Sequence, residues 1–317
     1  MFSNDGYAII VTNKTRFDRL TAQAGTSQMA RARLAFQNQE KVFCEFSIEA
    51  SSYRSSLEVV QKSLSPILRY KLIDRSFLPS FIFKGEIPMV IVVGQDGLVA
   101  NTAKYVGNIP IIAVNQEPES YNGFLLPFTK DDFLLAVKQV LSGQFSSRTV
   151  SLAEVQINNG QHLLAFNDLF IGVSSHVSAR YCIRYGGVRE EQLSSGIIVS
   201  TKSGSTGWLS SVFNMSHGLQ KLLDQKNRHD QKTVNKITFR EDQLFFAVRE
   251  PFASRQTGIN IVGGLLDSSD QLVIESLMPD GGVVFSDGIE SDFLPFTSGN
   301  TATVKIARET AVLVQKK

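Results

Sequence analysis

Residues 91–98 read Ile-Val-Val-Gly-Gln-Asp-Gly-Leu, an apolar run that leads directly into a carboxylate flanked by glycines. The uninterrupted β-rich run predicts a buried strand of the kind found in a parallel sheet covered on both faces. Gly94 and Gly97 let the backbone approach a phosphate closely, and Asp96 between them can accept a proton or hold a metal-phosphate. An ordinary tight turn has the same local pattern, so the stretch predicts a ligand site only in company with other segments.

The first half of the chain alternates short apolar runs with longer stretches of helical spacing. The apolar runs are residues 8–12, 88–93 and 110–114, and the helical stretches are residues 21–39, 55–69 and 129–141. Such alternation predicts an open, mostly parallel sheet that binds ligands at the carboxyl ends of its strands. We therefore predict an α/β domain over residues 1–143, with the Gly94–Gly97 turn at such an end.

The second half has a different sequence pattern, with many short strand candidates separated by turn signals such as Asn158-Asn159-Gly160. This pattern predicts an all-β, sandwich-like domain over residues 144–317, whose last strands could return to the first domain. One helix interrupts it, from about residue 206 to residue 223. The polar segment 224–232 contains acids and no interleaved aromatic residues, so we interpret it as a surface loop and not as a nucleic-acid site.

Composition narrows the class of protein. Hydrophobic residues make up 43% and charged residues 20% of the chain, and the net charge is +2. These values are typical of soluble globular proteins and favour neither a nucleic acid nor a membrane as partner. The two cysteines, Cys44 and Cys182, form no disulfide framework, and residues 1–5 lack the layout of a signal peptide. We expect a cytoplasmic protein.

Several well-known site motifs are absent from the sequence. It has no GxxxxGK[ST] loop, no GxGxxG after a strand, no HExxH and no clustered set of Cys and His residues. The absence of the first two argues against the mechanisms of P-loop proteins and dinucleotide oxidoreductases. Because the four histidines are scattered, we predict no metal site built from protein ligands.

Two later segments carry polar groups that suit a nucleotide. In residues 165–168, Ala-Phe-Asn-Asp, an amide stands beside a carboxylate, a pair that can grip ribose hydroxyls or form a plain Asx turn. Residues 195–208 read Ser-Gly-Ile-Ile-Val-Ser-Thr-Lys-Ser-Gly-Ser-Thr-Gly-Trp. The small hydroxyl-rich turn at 203–207 suits an anion or a nucleobase edge, and it is also an ordinary helix cap.

Together, in this order and at this spacing, the three segments resemble the NAD kinase family, and in particular a divergent bacterial subgroup of it. In that family a strand leads to GGDGT, a later NE follows an apolar run, and a DGxxxSTPTGSTAY-like segment comes next. The resemblance covers residues 85–210 by motif. Over the rest of the chain it extends only to the general pattern of strand-like and helix-like stretches. It implies an α/β half that binds ATP and a β-rich half that binds the acceptor.

The resemblance also implies roles for the first motif. Asp96 would act as the base for the hydroxyl that accepts the phosphoryl group, and Gly94 and Gly97 would approach the phosphates of ATP. We also expect a helix to start near Asn101, with amides that point at the phosphates. ATP would bring Mg²⁺ with it.

The other two motifs would hold the acceptor, NAD or a related nucleotide. Asn167 and Asp168 would bind the adenosine part through its ribose hydroxyls. Ser205 and Thr206 would contact the adenine region, and Trp208 would stack where the family has tyrosine. The resemblance further implies a homodimer or a homotetramer.

Four positions depart from the family pattern. Gln95 replaces a glycine, Leu98 a threonine, Ser195 a carboxylate and Asp168 a longer glutamate. All four touch presumed phosphate or acceptor contacts, whereas Asp96 is retained. The first hypothesis is therefore an ATP-dependent kinase of NAD(H). The alternatives are a catalytically weak NAD- or ATP-binding regulatory protein and a kinase of another alcohol, such as a sugar or a lipid.

Overall fold

The structure, a computed structural model, describes residues 6–119, 121–223 and 238–316. The chain divides into two units, Met1–Thr149 with Ala311–Lys317, and Val150–Thr310. The predicted loop at 224–232 lies outside the described residues. Within the described part of the chain, no helix has the length and apolar content needed to cross a membrane. Both cysteines are free, Cys44 exposed and Cys182 buried.

The first unit alternates strands and helices. Its strands are β1 (Tyr7–Thr12), β2 (Arg69–Asp74), β3 (Val90–Gly94), β4 (Pro110–Asn115) and β5 (Phe128–Thr129). Its helices are α1 (Arg16–Ala24), α2 (Ser27–Phe36), α3 (Glu40–Leu64), α4 (Asp96–Val106) and α5 (Phe133–Leu141), with a 3-10 helix at Arg75–Ser80. The strands pair in parallel in the order β4-β3-β1-β2, and β5 pairs with β4. The predicted open, mostly parallel sheet is confirmed.

Burial explains this layer arrangement. All five residues of β3 are buried, as expected for a central strand covered on both faces. On one face, α3 contributes Tyr53 and Val60 and α5 contributes Phe133 and Val137 to a single apolar cluster with alternate residues of the strands. The helices therefore bury one side of the sheet in the way that βα units require.

The strand order creates a switch point at the carboxyl ends of β1 and β3. After β1 the chain continues to β2 on one side, and after β3 it continues to β4 on the other side. In open α/β sheets, ligands bind in the crevice at such a point. The residues that follow these two strands, 13–19 and 95–98, are therefore the natural lining of a site in this unit.

The predicted helix start at Asn101 is wrong. Helix α4 begins at Asp96, directly after Gln95, whose extended backbone (φ −116°, ψ 165°) marks the end of the preceding segment. Asn101 lies inside the helix and is 2% exposed. The Gly94–Gly97 stretch is therefore a strand-to-helix junction, and the backbone N–H groups at the helix start belong to residues 96–98.

The second unit contains two antiparallel sheets. One has the order β10-β9-β14-β17 with β6 and β7 attached, and the other has the order β13-β12-β11-β8-β15-β16. The strands are β6 (Ser146–Ile157), β7 (His162–Ala165), β8 (Asp168–Val173), β9 (Ala179–Tyr185), β10 (Val188–Ser194), β11 (Ile197–Ser200), β12 (Leu244–Val248), β13 (Gly263–Leu266), β14 (Leu272–Ser276), β15 (Gly282–Ser286), β16 (Ile289–Pro295) and β17 (Thr301–Gln315). Helix α6 (Trp208–Leu223) follows a 3-10 turn at Gly204–Thr206.

Alternate residues of both sheets fill one core, which includes Leu169, Val199, Phe246 and Ile274. This confirms the predicted all-β, sandwich-like half. The last strand, β17, is unusually long. Its first residues pair with β14, and Val312 and Leu313 pair in parallel with β4 of the first unit.

Candidate functional site

The glycines of the first motif have different structural roles. A Cβ atom on Gly94 would lie 2.9 Å from Cδ2 of Leu98, so a side chain there would collide with the first turn of α4. A Cβ atom on Gly97 would meet nothing within 4 Å. The first turn of a helix has N–H groups without a helical partner, which attract anions. The open space at Gly97 lets a ligand approach these groups.

The Asp96 carboxylate is held by the segment 121–125. The Tyr121 hydroxyl donates a hydrogen bond to its Oδ2 (2.9 Å), the Leu125 amide donates to Oδ1 (2.8 Å), and the Phe124 amide donates to Oδ2 (3.1 Å). Burial and the neighbouring Asp96 raise the pKa of Tyr121, so its phenol stays protonated as the donor. An ionised carboxylate has about four acceptor positions, so one remains for a further donor such as a substrate hydroxyl.

A small concavity of about 190 Å³ lies at the switch point of the first unit. Gly94, Gln95, Gly97 and Leu98 line one side of it, and residues 13–16, Arg19 and Arg75 are also in its lining. The exposed Gln95 side chain thus borders this space. The Asp96 carboxylate is turned instead to the segment 121–125.

In the second unit, Asn167 and Asp168 are fixed by an acid distant in sequence. The Asp287 carboxylate accepts hydrogen bonds from the amides of Phe166 (3.0 Å), Asn167 (2.6 Å) and Asp168 (3.3 Å). Asp287 has a positive φ of 54°, a conformation that Asp tolerates better than most residues, and Gly288 follows it. Sequence reasoning did not assign Asp287 to the site. The stretch Ser286-Asp287-Gly288 predicts a β-turn, and the family that the sequence resembles has a similar turn near its cleft.

The third motif packs on the backbone of the second. The Thr201 amide donates to the Asn167 carbonyl (2.9 Å), and the Thr201 hydroxyl donates to the Phe166 carbonyl (2.6 Å). Gly204 comes so close that a Cβ atom there would lie 2.3 Å from the Asn167 oxygen. Two segments that are far apart in sequence therefore form one surface.

Asp168 has an unusual electrostatic environment. Its Oδ1 is shielded from solvent and has no hydrogen-bond partner in the described residues. Burial, together with the smaller effect of the Asp287 charge, raises the pKa of Asp168 to about 7 against the opposing hydrogen bond of the Ser200 hydroxyl. Ser200 lies directly opposite Asp168 in the β8–β11 pair. A buried acceptor without a donor is costly, and a ligand hydroxyl would satisfy it.

Ser205 and Thr206 lie in the 3-10 turn that precedes α6. The Ser205 hydroxyl donates to the Lys202 carbonyl (2.7 Å), which leaves its oxygen free to accept a further hydrogen bond. Thr206 is exposed. The turn therefore presents two hydroxyl groups next to the Asn167 backbone.

Trp208 packs against two neighbours. Its ring stacks on Phe170 with centroids 5.6 Å apart and planes 14° apart, and the Arg249 guanidinium carbon lies 5.4 Å from the ring centroid. The three residues line a cavity of about 590 Å³ in the second unit, with Phe285 and Phe293 among its other walls. Phe170 and Asp168 are two residues apart in β8 and so share a face of the sheet.

The structure thus brings Asn167, Asp168, Ser205, Thr206 and Trp208 together on one face of the second unit. Gly94, Asp96 and Gly97 lie together at the junction of β3 and α4 in the first unit. Within the described ranges, no group of three His, Cys, Asp or Glu residues is arranged to hold a metal ion.

Comparison with known proteins relates the chain to one family. An NAD kinase from Prosthecochloris aestuarii is 35% identical over 126 residues, which cover 37% of this chain and 42% of that protein. The chain thus spans less than half the length of these curated relatives. No protein-family model matches the chain.

Solved structures share its fold. Yeast NADH kinase complexed with NADH superposes with a TM-score of 0.56 at 15% identity, covering 98% of this chain and 84% of that one. An NAD kinase from Archaeoglobus fulgidus in complex with ATP gives a TM-score of 0.55 at 13% identity, covering 98% and 94%. The predicted resemblance to the NAD kinase family is confirmed in sequence and in fold.

Proposed function

We propose that this relative of the NAD kinases is an ATP-dependent phosphotransferase that phosphorylates the 2′-hydroxyl of the adenosine ribose of NAD(H). The observation that carries the proposal is the contact between residues 166–168 and residues 200–206. Corresponding segments occur in the same order in NAD kinases. The names of the sequence relatives and the shared fold support the same conclusion.

The acceptor side of the proposal uses the second unit. The unpartnered Oδ1 of Asp168 and the side chain of Asn167 bind the ribose hydroxyls. Ser205 and Thr206 contact the adenine region, and Trp208 supplies an aromatic face for stacking. These groups position the hydroxyl, which is the larger part of catalysis in phosphoryl transfer.

The donor side uses the junction of β3 and α4. Gly94 and Gly97 permit the phosphates of ATP to approach the helix start. Mg²⁺ enters as part of the Mg-ATP substrate and neutralises phosphate charge. As the ribose oxygen bonds to the γ-phosphorus, the bond to the leaving ADP breaks and Asp96 accepts the hydroxyl proton. The products are NADP, ADP and one proton.

The first test measures NADP formation from NAD and Mg-ATP by the full chain. Asp96→Asn keeps the shape of the side chain and removes the base, so the rate should fall by roughly 100-fold or more. Glu58→Gln, which removes an exposed carboxylate from α3 of the same unit, is the matched control and should keep the wild-type rate. Wild-type turnover that survives in Asp96→Asn would refute the base assignment.

A second candidate is a protein that binds NAD or ATP with little turnover. The three hydrogen bonds that already hold the Asp96 carboxylate favour it. Absence of NADP formation by the wild type, with NAD or ATP still raising the melting temperature, would select this candidate. A ligand at 100 times its Kd stabilises a protein by about 2.7 kcal/mol, so the shift is easily measured.

Location and assembly belong to the same proposal. The two free cysteines support a cytoplasmic protein. The family resemblance supports a homodimer or a homotetramer. Light scattering on the purified chain would measure its mass, and a monomer would remove that part of the proposal.

A further inference from the structure

The concavity at the switch point of the first unit is rich in cationic side chains. Lys14, Arg16, Arg19 and Arg75 all line it. The first three belong to the segment that follows β1, and Arg75 comes directly after β2. Sequence reasoning assigned none of them, because they lie outside the three motifs and because Arg75 is distant in sequence from the other three.

Most of this positive charge is unpaired. Glu49 is the acid in the lining, and it forms an ion pair with Arg16. Across the described residues, Lys14, Arg19 and Arg75 have no ion pair with a carboxylate, and Arg75 is half-buried. A half-buried guanidinium without a counter-ion beside other cations is unfavourable unless an anion joins them.

The same concavity receives the start of helix α4. Gln95 and Gly97 line it, and the side chain of Gln95 makes no capping hydrogen bond to the first turn. The partial positive charge of a helix N-terminus therefore adds to that of the three side chains. The space next to Gly97 is open, so an anion could contact the backbone.

A larger cavity of about 580 Å³ adjoins this concavity and shares Arg16, Glu49 and Gln116 with it. Its lining is of mixed character, with Ile48, Pro118 and several carboxylates. A small cationic space beside a larger mixed one matches a ligand with a phosphate chain at one end and a nucleoside at the other.

We propose that Lys14, Arg19 and Arg75 bind the phosphate chain of the nucleotide donor and so select a nucleoside triphosphate over a monophosphate. The inference rests on the proposed function, in which ATP is the donor. Arginine suits the role because its planar fork can bind two phosphate oxygens at once. These residues bind and position the donor, and the proton transfer stays with Asp96.

Calorimetric binding of Mg-ATP and of AMP, each without NAD, tests the inference on the full chain. The double variant Arg19→Ala/Arg75→Ala should bind Mg-ATP at least about tenfold more weakly, because charged hydrogen bonds to phosphate are among the strongest. Its affinity for AMP should change much less. Arg33→Ala removes an exposed arginine of α2 that is not in the lining, and it should leave both affinities unchanged.

Two results would overturn the inference. One is an equal loss for Mg-ATP and AMP, which would place the arginines at the nucleoside. The other is an unchanged affinity for Mg-ATP. If the double variant does not fold, the salt dependence of wild-type binding replaces it: the Mg-ATP affinity should fall with added salt far more steeply than the AMP affinity, and parallel curves would refute the inference.

The outcome is separable from that of the proposed function. A chain that forms no NADP but loses Mg-ATP affinity in the double variant keeps this inference and loses the proposed reaction. A chain that forms NADP, and in which the double variant raises only the KM for NAD, keeps the reaction and loses this inference.

Discussion

Asp168 should make the stability of the second unit depend on pH. Its pKa is about 7 in the folded chain, against an ordinary value of 3.8. The folded state binds this proton more tightly than the unfolded state. The protonated Asp168 carboxyl therefore makes its full contribution to the free energy of unfolding below about pH 4. It is then lost as the pH rises through about 7, where the buried carboxyl ionises beside Asp287. Asp168→Asn removes the ionisation and keeps the shape of the side chain.

The size of the effect follows from the shift. One pKa unit corresponds to about 1.4 kcal/mol, so wild-type stability should fall relative to Asp168→Asn by up to about 1.4 kcal/mol per pH unit between roughly pH 4 and pH 7. Above about pH 7 the difference should be constant. Comparing the two proteins at each pH cancels the titration of all other groups.

Urea unfolding at several pH values between about 5 and 8 measures the difference. Asp280→Asn, which removes an exposed carboxylate of the same unit, controls for the loss of one charge. A gap between wild type and Asp168→Asn that is the same at every pH would refute the reasoning. It would mean that the folded structure stabilises the ionised carboxylate as well as water does.

Three further changes test the site. Gly204→Ala would place a methyl group 2.3 Å from the Asn167 oxygen. It should cost about 1–3 kcal/mol of unfolding free energy and weaken NAD binding, whereas Gly218→Ala, in open space on α6, should gain about 0.5–1 kcal/mol. Asp287→Ala deprives three amides of their acceptor and should cost about 1–3 kcal/mol in urea unfolding; an unchanged midpoint would contradict its role. Gln95→Gly clears the edge of the concavity and should lower the KM for ATP with little effect on that for NAD. An unchanged KM for ATP would show that the glutamine side chain is no obstacle.

Local sequence patterns predicted those parts of the fold whose structure is determined by residues close together in the chain. The apolar run before Gly94 predicts a buried strand, and all five residues of β3 are buried. The turn at 203–207 is a helix entry, as the small polar residues indicated. The glycines on both sides of Asp96 predict a separate turn, whereas α4 begins at Asp96 itself. The helix tolerates Gly97 in its first turn, where few backbone bonds depend on it.

Contacts between distant parts of the chain could not be predicted. Asp287 is 119 or more residues away from the amides that it caps. Arg75 follows a different strand from Arg19, and both line one concavity because β1 and β2 are neighbours. The partners of Asp96 come from a segment without a recognisable pattern. In each case the tertiary fold, and not the local sequence, determines which residues lie close together.

The long strand β17 makes one edge of β4 depend on residues that are synthesised much later. Among the described residues, Val312 and Leu313 pair with the edge of β4 at Pro110 and Ile111, and they are synthesised after the second unit. During synthesis that edge stays open while the whole of the second unit emerges. An open strand edge is a template for wrong pairing with other chains. We therefore expect chains truncated before residue 312 to aggregate more readily than the full chain.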